Sequence, residues 1–188
     1  LSTTIVGCTF EANYARSGGA LANRDRSGPN RGAHLNVYES TITGNVALYG
    51  GVLSSNGFTT TSVTSARFEF ATFFNNRVDN SVSSGWLSFT PESALFSNSP
   101  AYTTIEIRAS LVEDNRNMAA TPAFVDCSYG TQVTWLGLSI ADQLTSCQAS
   151  TGPNIDEPQL GALRYWGGST LTHMPSTTGV AVDQLSAA

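Results

Sequence analysis

Apolar and polar positions recur along the first three quarters of the chain in one order. Residues 5–21 read IVGCTFEANYARSGGAL and residues 37–53 read VYESTITGNVALYGGVL. Shorter copies are FEFATFFNN at 68–76 and IRASLVEDN at 107–115. Each copy opens on an apolar residue. A small residue follows (Cys8, Ser40, Ala71, Ser110), then an outward position, then a second apolar residue (Phe10, Ile42, Phe73, Val112). An asparagine closes it: Asn13, Asn45, Asn76, Asn115. Alternation over three to six residues, broken by Gly, Asn or Ser, predicts short strands and no amphipathic helix before the last quarter.

The small position falls at 8, 40, 71 and 110, giving spacings of 32, 31 and 39. A weaker fifth copy runs from Val133 through Trp135, Leu138 and Ile140 to Gln143. A period in this range with several short strands per unit marks a stacked repeat. The Leu ladder of leucine-rich repeats and the long alternation of propeller blades are both missing. A constant strand motif with variable loops predicts an all-β fold, a right-handed parallel β-helix of about five coils. Residues 1–150 are the repeats, and residues 151–188 an irregular C-terminal cap of the same domain.

Stacking at about 4.8 Å brings equivalent side chains into contact. Phe10, Ile42, Phe73, Val112 and Ile140 are expected as one core stack, and Ile5, Val37, Phe68, Ile107 and Trp135 as a second. Asn13, Asn45, Asn76 and Asn115 are expected as an inward ladder whose amides bond along the stack and hold the corners. The Arg-rich stretch 23–32, with Gly-Pro inside it, reads as a loop. The insertion at 82–101 carries Trp86, Phe89 and Phe96 and reads as a segment folded back on the flank.

Composition narrows the class. With 40% hydrophobic and 12% charged residues, the chain buries a core and is not disordered. The net charge is −5, and every one of the nine basic residues is Arg. No basic stripe is present, so nucleic acid is not an expected partner. No apolar run reaches membrane-spanning length. The chain opens directly in a repeat, which reads as a mature protein or a piece of a longer one. Of three cysteines, Cys8 occupies a small inward slot and reads as a buried thiol. Cys127 and Cys147 lack the further ligands zinc needs, so a disulfide is expected, in an oxidising compartment.

Two motifs carry a family resemblance. Phe10-x-x-Asn13 with Gly18-Gly19-Ala20-Leu21, and Ile42-x-x-Asn45 with Gly50-Gly51-Val52-Leu53, resemble the FxxN and GGA[ILV] pair of the polymorphic outer-membrane protein repeat. The tail, DEPQLGAL from Asp156, WGGSTLTH from Trp166 to His173 and VAVD from Val180, is similar to the closing segment of bacterial choice-of-anchor Q surface proteins. Trp166 stands where that pattern has Asn, and Gly179-Val180 where it has Ser-Pro. The resemblance implies a right-handed β-helix displayed at a cell surface or outside the cell, with adhesive or structural duty and no particular chemistry.

Parallel β-helices also host lyases and glycosidases, so catalytic groups need weighing. A lyase wants clustered carboxylates and a base, and a glycosidase paired acids across a groove. Glu113 and Asp114 are adjacent and diverge, while Asp156 reads as a turn former. Glu69 and Arg108 share one outward register and read as a surface ion pair. His34 and His173 each lack a second ligand, so no metal is expected. His173 reads as a hydrogen-bonding residue that fixes the cap. Thr9, Thr41 and Thr72 form an outward row, but the neighbouring row of Glu11, Thr43, Phe74 and Glu113 breaks the regularity ice binding requires.

The function expected is therefore a non-enzymatic extracellular surface or matrix module, structural or adhesive, without cofactor. The alternative is a carbohydrate-binding or carbohydrate-active β-helix, with Trp86, Phe89, Phe96 and Tyr102 as an aromatic platform. The tail can cover the last coil, but nothing covers the first. Ile5, Cys8 and Phe10 are thus the expected assembly end, where another copy stacks head to tail. A surface glycan or protein is the other expected partner.

Overall fold

A computed structural model describes residues 1–25, 32–56, 63–79, 96–98, 103–118, 133–137, 139–141, 154–155, 158–166 and 169–178. Among them every regular element is a strand. The first pass of the chain makes β1 (Ser2–Val6), β2 (Thr9–Glu11), β3 (Tyr14–Ser17) and β4 (Leu21–Arg24). The second makes β5 (His34–Tyr38), β6 (Thr41–Thr43), β7 (Val46–Tyr49) and β8 (Leu53–Asn56). The third makes β9 (Thr64–Glu69), β10 (Thr72–Phe74), β11 (Arg77–Val78) and β12 (Phe96–Asn98). Then come β13 (Thr103–Arg108), β14 (Leu111–Glu113) and β15 (Arg116–Asn117), followed by β16 (Val133–Leu136), β17 (Ile140–Ala141) and β18 (Asn154–Ile155). The last two strands are β19 (Leu160–Arg164) and β20 (Thr172–Pro175).

Each pass is one tier, and tiers pair in parallel. The first sheet runs β1-β5-β9-β13-β16, the second β18-β17-β14-β10-β6-β2, the third β15-β11-β7-β3 and the fourth β12-β8-β4. None of these sheets closes on itself among the described residues. A separate antiparallel hairpin joins β19 to β20.

The register follows the repeat. Ile5 pairs with Val37, Val37 with Phe68, Phe68 with Ile107 and Ile107 with Trp135. Phe10 pairs with Ile42, Ile42 with Phe73 and Phe73 with Val112. Val37, Ile42, Phe68, Phe73, Ile107 and Val112 are completely buried. Each such side chain contributes about 1.5–3 kcal/mol of hydrophobic stabilisation. Phe68 meets Phe73 edge to face, ring centroids 5.1 Å apart, which ties the two stacks together.

The fifth tier departs from the expected register. Ile140 pairs with Leu111, and Ala141 stands beside Val112 in the core stack. The cause is one additional residue. Three positions separate Ile107 from Ser110, but four separate Trp135 from Ser139, whose hydroxyl accepts the Ser110 N–H. The stretch read as a loop and the insertion read as folded back on the flank are both partly strand. Asn23 and Arg24 belong to β4, and β12 lies inside the 82–101 insertion, pairing Phe96 with Leu53.

Corners between strands share one backbone device. Gly7, Glu39, Phe70, Ala109 and Gly137 all adopt positive φ between the first and second sheets. Ala12, Gly44, Asn75 and Asp114 do the same between the second and third. An L-residue there costs about 1–2 kcal/mol. The stack supplies an offset, because Glu39 N–H donates to Glu69 O and Phe70 N–H to Arg108 O, at 3.0 and 3.1 Å.

Candidate functional site

The inner corners carry ladders of polar side chains. Asn45 Oδ1 accepts from the backbone N and from Nδ2 of Asn13, at 3.0 and 2.8 Å. Asn76 Oδ1 accepts both from Asn45, and Asn115 Oδ1 both from Asn76. Nδ2 of Asn45 also lies 3.0 Å from Phe10 O, and that of Asn76 2.9 Å from Ile42 O. Asn45, Asn76 and Asn115 are completely buried, and Asn13 is exposed. Every amide in the middle of this ladder is saturated, so its chemistry is cohesion between tiers.

Two further ladders are not evident from the sequence pattern. The small slot is a hydroxyl slot. Ser40 Oγ accepts Cys8 N–H and donates to Tyr38 O, and Ser110 Oγ accepts Ala71 N–H and donates to Arg108 O. The signal was the serine at Ser40 and Ser110, which a size argument treats as merely small. At the opposite corner, Thr64 and Thr103 hydroxyls lie 2.9 Å apart, Ser55 reaches Thr64, and Asn23 donates to Ser65 O.

Among the described residues the first tier is the end of all four parallel sheets. Ile5, Cys8 and Phe10 are half-buried there, whereas Val37, Ser40 and Ile42, their partners one tier on, are 0–2% exposed. Cys8 is a free thiol. Among the described residues nothing donates to Asn13 Oδ1. Cys127, Cys147, Trp86, Phe89 and Tyr102 lie outside the described residues, as do the side chain of Phe96 and the final Val180–Asp183 motif.

The tail occupies two places. Asn154–Ile155 adds a strand beyond β17 at the end of the second sheet. The hairpin β19–β20 instead lies across the outward face of that sheet and reaches back to the first tier. Glu113 accepts Leu160 N–H at 2.7 Å, Thr41 Oγ1 meets Thr172 Oγ1 at 3.2 Å, and Thr9 donates to Leu171 O at 2.8 Å. The Thr row is therefore covered, and Thr41, Thr43 and Thr72 are buried.

His173 sits at the centre of this contact. Nδ1 lies 2.6 Å from Gly161 O and Nε2 lies 3.0 Å from Thr43 Oγ1, while the ring rests on Phe74 with centroids 4.5 Å apart. A carbonyl only accepts, so Nδ1 carries the proton and neutral Nε2 accepts from Thr43. Burial holds the imidazole below the usual histidine range, against the pull of the Gly161 carbonyl and the Glu11 carboxylate.

Charged groups elsewhere form surface pairs. Glu69 bridges Arg67 at 3.0 Å and Arg108 at 3.6 Å, and Asp114 meets Arg116 at 2.8 Å. Among the described residues no three His, Cys, Asp or Glu side chains converge as a metal site. Comparison with family models, with curated proteins and with solved structures yields no match.

Proposed function

We infer that the chain winds as a right-handed parallel β-helix and serves as a non-enzymatic structural or adhesive module outside a cell, adding copies end to end. The winding is supported by the order in which the strands fall. Each pass contributes one strand to successive sheets and returns beside its own start, and parallel crossovers of this kind are overwhelmingly right-handed. The surface setting rests on the resemblance of the FxxN and GGA[ILV] motifs and of the tail.

The observation that carries assembly is the first tier. Among the described residues, strands β1–β4 each leave one edge unpaired and Asn13 Oδ1 accepts nothing, although the other three ladder carbonyls each accept two hydrogen bonds. A further tier of the same kind, from a second copy or from more of the same chain, satisfies those groups and covers Ile5 and Phe10. Sedimentation velocity over a concentration series tests this. Association that Ile5→Asp abolishes, with the fold retained by circular dichroism, is the expected result. A monomer at every concentration overturns it.

A further inference from the structure

We propose that the β19–β20 hairpin is a proton-sensitive clasp over the outward face of the second sheet, released when His173 becomes a cation. This stands independently of end-to-end assembly.

The clasp is a separate layer. Among the described residues its backbone pairs only within the hairpin, and each hydrogen bond to the sheet uses a side chain. Within the two strands His173 is the one buried residue, while Ala162, Arg164 and Met174 are exposed and Leu160 and Leu163 half-buried. Little apolar area holds the hairpin down, so its docking depends on a few polar contacts and on the imidazole packed against Phe74.

Protonation acts on that contact directly. The neutral ring donates from Nδ1 to Gly161 O and accepts at Nε2 from the Thr43 hydroxyl. The cation has no acceptor, so the Thr43 hydroxyl must turn from donor to acceptor, and a charge is left in a buried site. Of the ionisable groups on the surrounding elements, Glu11 on β2 favours the cation, Glu113 on β14 is engaged by Leu160 N–H, and Arg164 on β19 is exposed. Burial outweighs Glu11, and the docked imidazole binds its proton less readily than an undocked one. Docking is therefore strongest above the ordinary histidine value of about 6.5 and weakens as pH falls below it. Release uncovers Thr9, Thr41, Thr43 and Phe74, three hydroxyls and one aromatic ring across three tiers.

Amide hydrogen exchange, expressed as protection factors so that intrinsic rates cancel, tests the clasp at about pH 7.5 and about pH 5. Protection of 160–175 is expected to fall several-fold at the lower pH while β5, β6 and β9 keep theirs. The midpoint is expected to coincide with the His173 ring titration followed by NMR and resolved from that of His34. His173→Gln retains a donor and an acceptor without a titrating ring, and its hairpin protection is expected to be flat across this range. Unchanged protection in the wild-type protein overturns the proposal. So does a loss whose midpoint differs from that of His173, or a loss of equal size in His173→Gln, which would assign it to Glu11 or Glu113.

Discussion

Asn45 gives both of its nitrogens to one oxygen of Asn76. Its backbone N lies 3.1 Å and its Nδ2 2.9 Å from Asn76 Oδ1. One side-chain carbonyl thereby pins the corner backbone and the side chain of the preceding tier. Asn45 also accepts twice from Asn13, so its removal breaks contacts in both directions along the stack. Asn45→Ala is expected to cost about 2–3 kcal/mol, because buried groups on both sides lose partners. Asn36→Ala, on the half-exposed outward side of β5, is expected to change little. Urea midpoints for the two variants check this, and equal midpoints would remove the ladder from the account.

The hydroxyl ladder has a gap. Ser40 and Ser110 each accept an N–H from the tier before, but Ala71 presents a methyl to Ser40 N–H. Ala71→Ser is expected to raise stability by about 0.5–1.5 kcal/mol, and Ser110→Ala to lower it by a similar amount. Thermal midpoints of the two variants should move in opposite directions. A destabilised Ala71→Ser would mean that this corner is too tight for one more oxygen.

Glycines at positive φ are not equivalent. A methyl on Gly50 would stand 2.1 Å from Leu53 O, whereas one on Gly44 meets nothing nearer than Ala12 N at 3.9 Å. Gly44→Ala is expected to cost about 1 kcal/mol for its backbone conformation alone. Gly50→Ala adds a collision with main chain and is expected to cost at least 3 kcal/mol or prevent folding, on the order of other backbone-strain losses. Chemical denaturation measures the difference, and similar losses would show that the corner after β7 yields.

Surface charge is expected to matter little. Arg108 is half exposed where it meets Glu69 at 3.6 Å, and Glu69 keeps Arg67 as a second partner. Arg108→Ala should therefore shift stability by less than about 1 kcal/mol. A larger loss in a urea titration would assign Arg108 a packing role across the first sheet.

The linear pattern determined which residues share a row. Ile5, Val37, Phe68, Ile107 and Trp135 follow one another because a parallel stack repeats whatever the period repeats, and so do Asn13, Asn45, Asn76 and Asn115. Apart from Trp135, all of these lie at a constant offset from a small residue, and that offset is a property of sequence. The pattern was mute where the offset changes. In the fifth repeat Ile140 and Ala141 are both compatible with an interior slot, so hydrophobicity cannot choose between registers one residue apart. The choice fell to Ser139, whose hydroxyl must meet Ser110 N–H.

Only the tertiary structure decided where the tail goes. Thr9 and Leu171 are separated by 162 positions and joined by one hydrogen bond. Nothing periodic links them, since the hairpin has no counterpart in the repeat. The Thr row reads as a solvent face because alternation says only that it points away from the core. Whether water or another segment lies beyond it depends on what the rest of the chain brings there, and here His173 and its hairpin do so. Positive φ at Glu39, Phe70 and Ala109 was hidden for the same reason. No local propensity places such residues in that conformation, and it is the neighbouring tier's carbonyls that hold them there.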